Sequence, residues 1–353
     1  MFSRRLLRSG HAPQVTLNLK PYIVSGANAS LRQGNASGPR LKLAGVTVRG
    51  APVTSFDGSS WTADFANGQY QNRVRVAQTI KAWGGNLARM ELAASCYNNE
   101  EFGLTKAQQI NRILDWVAVN KAHGLMTMFC WWDSLDGPYS GANWPAQYHN
   151  AFQMMSDVVA AIGDDPYVFY EPWNEPNNVN WAQWQTVIQT TLTHWRSAIG
   201  YNGVLFLDMI NHSSVFDASY VNTVAAHDSS LLGGNPQAGF VKHNYAMGAS
   251  SFDESNWRST TGNESHVILE SEFGNWTGGS DNNQNWANEA CAFFAQEYTT
   301  RGSYAGACSF VMGPWSDANA MTAVDNVTPT VPWGSQVKDM FLGQAGATVV
   351  PGV

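Results

Sequence analysis

From Leu41 onward, short apolar runs alternate with longer stretches of helical period, and the alternation repeats eight times. The pattern predicts strands near 43–48, 86–92, 125–131, 167–169, 204–209, 239–245, 266–270 and 305–312. Each is followed by a predicted helix, near 70–83, 105–124, 146–162, 181–199, 220–226, 252–260, 285–300 and 336–342. Thr105 is placed to cap the second of these helices and Gly124 to close it. Eight strand-then-helix units make an α/β fold of the (β/α)8 TIM barrel type the economical architecture, with one barrel domain over 41–345. An open doubly wound sheet is the competing arrangement, but no Gly-x-Gly-x-x-Gly follows the first strand.

Residues 1–40 are rich in Ser, Asn, Gly and Arg and contain one alternating patch, Val15 to Leu19. They read as an N-terminal extension, either a hairpin covering one end of the barrel or disordered chain. Residues 346–353 read as a C-terminal tail. Met1 to Arg8 is basic, yet the apolar stretch of a secretion signal does not follow it.

Composition narrows the partners. A net charge of −7 with no basic stripe argues against nucleic acid. No run of about 18 apolar residues occurs, so no membrane span is expected. The 15 tryptophans exceed what a core of this size needs, which suggests indole surfaces for stacking flat apolar faces. Cys96, Cys130, Cys291 and Cys308 show no Cys-x-x-Cys spacing, so a structural zinc site is not expected; disulfides and buried thiols both remain open.

In a barrel the working residues gather at the carboxyl ends of the strands. Those ends carry Arg89, Trp131 to Asp133, Asn174 and Glu175, Asn211 and His212, His243 and Tyr245, Glu272, and Trp315. Glu175 lies in Tyr170-Glu171-Pro172-Trp173-Asn174-Glu175-Pro176, where Trp173 and two prolines leave little room for solvating water. Its proton is therefore expected to be held more tightly than in a free side chain. Glu175 and Glu272, on the fourth and seventh strands, face each other across the lumen, and a pair of carboxylates is what glycosidic cleavage requires. No His-x-His or Asp/His cluster accompanies them at ligand spacing, and no Gly-x-Ser-x-Gly elbow is present, so neither a metal, another cofactor nor a serine nucleophile is expected. Glu171 shares the parity of Glu175, but the intervening prolines make its direction indeterminate from sequence.

Together, Asn174-Glu175-Pro176, Glu272-Phe273-Gly274, His243-x-Tyr245, Arg89 and Trp315 resemble glycoside hydrolase family 5, the cellulase family of the retaining (β/α)8 clan, over roughly 41–315. The resemblance implies Glu175 as acid/base and Glu272 as nucleophile. It implies Arg89 holding the nucleophile ionised, Asn174 bonding the sugar 2-hydroxyl, His243 and Tyr245 orienting substrate and nucleophile, and Trp315 under the reacting sugar. One departure stands out. Family members often carry a histidine after the third strand, where this chain reads Phe129-Cys130-Trp131-Trp132-Asp133, and Trp132 or Asp133 would take over part of that wall.

Other tryptophans divide by position. Trp83, Trp116, Trp184 and Trp195 fall at helical spacing and read as packing, whereas Trp61, Trp132, Trp144, Trp181 and Trp276 fall in predicted loops as sugar platforms or loop anchors. Trp132 and Trp276 are the loop indoles placed in the substrate site. The substrate expected from the resemblance is a β-1,4-linked polysaccharide or oligosaccharide, cleaved by an endo-β-1,4-glucanase acting outside the cell as a monomer. A β-mannanase or other hemicellulase is the first alternative, and a carbohydrate-binding pseudo-enzyme with the same cleft is the second.

Overall fold

The computed structural model describes residues 20–53, 63–100, 103–132, 144–246, 251–261, 265–275, 284–312, 328–330 and 333–344. A hairpin comes first, β1 (Pro21–Val24) and β2 (Ser30–Gln33). The barrel strands follow as β3 (Leu43–Val53), β4 (Leu87–Leu92), β5 (Met126–Trp131), β6 (Val168–Glu171), β7 (Leu205–Asp208), β8 (Ala238–Tyr245), β9 (Ile268–Gly274) and β10 (Tyr304–Met312). The helices are α1 (Ala63–Ala82), α2 (Ala94–Asn98), α3 (Lys106–Ala122), α4 (Trp144–Ile162), α5 (Trp181–Thr193), α6 (Ile210–Ser213), α7 (Ala218–Leu232), α8 (Glu254–Thr261), α9 (Gln284–Thr300) and α10 (Trp333–Gln344). A π-helical turn, His194–Ile199, extends α5.

Strands β3 to β10 pair in parallel and β10 returns to β3, so the eight-stranded barrel closes and no open sheet edge remains. Local chemistry sets the helix starts. Thr105 and Gln108 form a capping box at α3, and Asn180 and Gln183 form another at α5. Gly124 ends the α3 connection at φ +70°, a conformation an L side chain resists.

Two apolar layers result. Leu43, Leu87, Met128, Phe169, Phe206, Val241 and Leu269 fill the lumen, while Trp116, Trp184, Trp195 and Trp257 belong to the larger cluster that packs the helices on the barrel. Trp83, Trp116, Trp184 and Trp195 are all buried, in keeping with a packing role. Trp144 and Trp181 begin helices, and the Trp181 ring stacks on Tyr220 at 5.5 Å rather than standing in a loop. The four cysteines are buried free thiols.

The hairpin closes the amino end of the barrel. Ile23 and Leu31 join the lumen cluster, the Ile23 amide donates to Gln237 Oε1 at 2.9 Å ahead of β8, and the Gly26 amide donates to Ser265 O at 2.9 Å ahead of β9. The opposite, carboxyl end is left for chemistry. Val15 to Leu19 and the tail 346–353 lie outside the described residues.

Candidate active site

Side chains from β4, β6, β7, β8 and β9 converge at the carboxyl end of the barrel. Arg89, wholly buried on β4, is the hub. Its Nε and Nη2 donate to the two oxygens of Glu171 at 3.0 and 2.5 Å, its Nη1 donates to Glu272 Oε2 at 2.7 Å, and its Nη2 also donates to Asn174 Oδ1. A planar guanidinium can serve three acceptors at fixed angles, which an ammonium cannot. Glu171, whose direction the sequence left open, therefore points into the lumen. Burial opposes its charge, but Arg89 holds its carboxyl below the ordinary range.

On β9 the register explains which glutamate reaches the site. Lys242 and His243 of β8 pair with Glu270 and Glu272, leaving Ser271 as an extra residue, and the β10 pairing skips at the same place. This is a β-bulge. Beyond it Ser271 and Glu272 both project inward, Ser271 Oγ lying 2.8 Å from His243 Nε2 and Glu272 Oε1 accepting from the Tyr245 hydroxyl. Glu270 projects outward, accepting from Asn244 Nδ2 at 3.0 Å and Trp257 Nε1 at 2.8 Å.

Glu175 sits just past β6 with a left-handed backbone, φ 47°. Its amide donates to Asp208 Oδ1 at 3.0 Å, its Oε1 lies 2.8 Å from His243 Nδ1, and its Oε2 lies 3.3 Å from His212 Nδ1. Burial alone would raise this carboxyl, as the sequence suggested. The structure reverses that expectation for the resting site: hydrogen bonds from His212 and His243 outweigh burial and bring Glu175 down to about 2. His243 moves the other way. Burial disfavours its charge, but the carboxylates of Glu272, Glu175 and Asp208 raise it to about 9, so near neutrality the shared proton rests on the imidazole.

Asp208, buried at the end of β7, belongs to the same cluster. Burial and the adjacent Glu171 carboxylate push its carboxyl well above the usual range. Its Oδ1 also accepts from Ser213 Oγ at 2.6 Å. Asp208, Ser271 and Glu171 were not assigned to the site from sequence, because alternation alone does not reveal a bulge or the inward end of a four-residue strand.

Glu175, His243 and Glu272 each bring a donor atom within 4.8 Å of the others, as do Glu171, Asp208 and His243. Either trio could hold a cation, but the positive charge between Glu171 and Glu272 is already supplied by Arg89. The expected site residues Arg89, Asn174, Glu175, His243, Tyr245 and Glu272 are thus brought together. Trp132 follows β5 and is buried, its amide bonded to Leu92 O at 2.9 Å. Trp276, Trp315, Asp133 and Trp61 lie outside the described residues.

The overall shape recurs in solved structures. The catalytic domain of an endoglucanase from Thermobifida fusca superposes with a TM-score of 0.66 at 16% identity, covering 92% of this chain and 97% of that one. A family 5 cellulase from an Icelandic hot spring isolate gives 0.64 at 14%, covering 92% and 94%. A β-mannanase from Streptomyces thermolilacinus gives 0.64 at 17%, covering 93% and 97%. At such identities the likeness concerns the fold. No curated protein is similar enough in sequence to match. The family model described as cellulase (glycosyl hydrolase family 5) matches residues 46–309, from β3 to β10 and through every strand that carries the site, and the chain belongs to that family of glycoside hydrolases.

Proposed function

We propose that the protein is a retaining endo-β-1,4-glucanase, with Glu175 as acid/base and Glu272 as nucleophile. The observation that carries this reading is the approach of a Glu175 oxygen and a Glu272 oxygen to within 4.8 Å. Retaining glycosidases hold their carboxyl groups about 5–5.5 Å apart, whereas inverting ones leave about 6.5–9.5 Å for a water.

The surroundings divide the labour. Glu272 accepts hydrogen bonds from Arg89 and the Tyr245 hydroxyl, which fix the orientation of its oxygens for attack on the anomeric carbon. Glu175 meets two imidazoles, and the proton it must deliver lies 2.8 Å away on His243 Nδ1. A sugar in the cleft excludes water and favours the neutral carboxyl, so the proton crosses to Glu175 before passing to the departing oxygen. Attack by Glu272 breaks the glycosidic bond, and its electron pair leaves with that oxygen. Water, deprotonated by Glu175, then releases the sugar with net retention. With Asn174 Oδ1 held by Arg89, the amide nitrogen is turned away from it, toward a sugar hydroxyl. Trp276 and Trp315 would supply the stacking faces; Trp132, expected among them, is packed into the wall and has no exposed face to offer.

Cellulases and mannanases are both among the structural relatives, so β-mannanase is the second reading. A polymeric substrate also implies work outside the cell, and no cofactor is invoked. The test is reducing-sugar release from carboxymethyl cellulose, mannan and xylan, with the product anomer followed by NMR. Release of β-anomer first from cellulose supports the proposal. Preference for mannan moves the assignment to the second reading, α-anomer first overturns the retaining mechanism, and binding without release makes the protein a lectin-like pseudo-enzyme.

A further inference from the structure

His212 is absent from the set of residues the resemblance assigns, yet it touches the residue on which the acid step depends. The chain after β7 runs through three consecutive left-handed residues, Asn211, His212 and Ser213, at φ 55°, 55° and 54°. None is glycine. Side chains rarely adopt this conformation singly, and three in succession mean that the surroundings impose it. The turn is fastened below by Ser213 Oγ, which donates to Asp208 Oδ1 at 2.6 Å, the same atom that receives the Glu175 amide. Its effect is to bring His212 Nδ1 to 3.3 Å from Glu175 Oε2.

The two imidazoles on Glu175 are not equivalent. The His243 side chain is 1% exposed and holds Oε1 from within the barrel, whereas the His212 side chain is 42% exposed and meets Oε2 at the cleft. Oε2 therefore lies on the side of the carboxyl that borders the more exposed imidazole. When the proton leaves Glu175 for the departing oxygen, negative charge appears on this carboxylate, and a donor already in place stabilises that charge as it forms.

We propose that His212 is a positioning residue for the acid step, its Nδ1–H steadying Glu175 Oε2 as the proton passes to the leaving sugar. The inference rests on Glu175 being the acid/base. Among the described residues the charged and titratable groups around the pair are Glu171 on β6, Asp208 on β7, His243 and Tyr245 on β8, Glu272 on β9 and Arg89 on β4. Among the described residues, His212 and His243 are the ones that reach the Glu175 carboxylate with a nitrogen.

The test uses variants that respect the backbone. His212→Gly removes the imidazole and accepts the left-handed conformation, while His212→Asn also tolerates it and restores an N–H donor. His212→Gly is expected to lower kcat on the polysaccharide about tenfold while leaving dinitrophenyl glycosides, whose leaving group needs no proton, within about twofold. His212→Asn should recover most of the loss. Equal loss on both substrates, no loss on either, or failure of Asn to recover activity would overturn the proposal. Glu175→Ala assayed in parallel separates the two ideas. If it lacks leaving-group dependence, the acid/base assignment fails; if it shows that dependence and His212→Gly does not, only the role of His212 fails.

Discussion

Glu270 and Glu272 stand two residues apart on β9 yet face opposite sides of the barrel wall, because Ser271 is an extra residue in the register. Glu272 enters the lumen against Arg89, while Glu270 lies in the layer beneath α8, bonded to Trp257 and Asn244. One inserted residue thus gives two neighbouring carboxyl groups different chemistry.

Glu270 should govern stability rather than turnover. Burial, only partly offset by Trp257 and Lys242, raises its carboxyl to about 7. The folded state then holds a proton that the unfolded chain has released, so stability falls as pH rises from about 4.5 to about 7. Glu270→Gln should remove this component, on the order of 3 kcal/mol across that window, with kcat changed little. Urea melts of both proteins at pH 4.5 and pH 7.5 check it, and parallel pH profiles would contradict it.

Arg89 presents the opposite case, a buried cation on which buried anions depend. Replacing it with Met leaves Glu171 and Glu272 without their shared partner, and breaking a buried pair from one side costs about 3–5 kcal/mol. Lys should not rescue the fold, because one ammonium cannot hold both oxygens of Glu171 and still reach Glu272. Denaturant midpoints of Arg89→Met and Arg89→Lys measure this. A loss below about 1 kcal/mol would mean that the carboxyl groups relax or protonate without strain.

The two-period and 3.6-period apolar patterns made the eight units readable, and a closed barrel follows from eight parallel strands with helices between them. Thr105 and Gly124 marked their helix because capping is local chemistry. The site was legible where a residue type and a strand end coincided, as at Arg89, Glu175, His243 and Glu272. It was hidden where position depended on backbone departures. Leu269-Glu270-Ser271-Glu272-Phe273 reads as plain alternation and places both glutamates on one face, until the bulge separates them. The three left-handed residues at 211–213 have no glycine to announce them. The surroundings of Glu175 were hidden for a related reason: its neighbours in sequence are apolar, but its neighbours in space are two histidines, one on β8 and one in the turn after β7.

The Glu175–His243 pair yields a titration. His243 is raised to about 9, so its contribution to stability is complete below its ordinary value near 6.5 and is lost as pH climbs through about 9. Glu175, brought down to about 2, contributes above its ordinary value and loses that contribution only as pH falls toward about 2. Between these limits the pair holds one proton. Imidazole 15N NMR should find His243 protonated at pH 7, and Glu175→Gln should lower its pKa by more than about one unit. A neutral His243 at pH 7 would place the resting proton on Glu175 and restore the expectation drawn from its apolar sequence neighbours.

The two proposed catalytic glutamates should fail in different ways when removed. Without Glu272 no covalent glycosyl-enzyme can form, so Glu272→Ala should lose roughly ten-thousandfold or more on every substrate, whatever the leaving group. Without Glu175 the first step loses its acid but keeps its nucleophile. Glu175→Ala should therefore lose roughly a hundred- to ten-thousandfold on polysaccharide yet still release dinitrophenol from an activated glycoside in a burst, because that departure needs no proton. The second step then lacks its base, so the glycosyl-enzyme on Glu272 should accumulate and be visible as a mass increase of the sugar unit on the intact protein. Azide, a nucleophile that needs no deprotonation, should discharge it and give a β-glycosyl azide. An accumulating adduct in Glu272→Ala instead would exchange the two roles, and a burst in neither variant would remove the covalent intermediate from the mechanism.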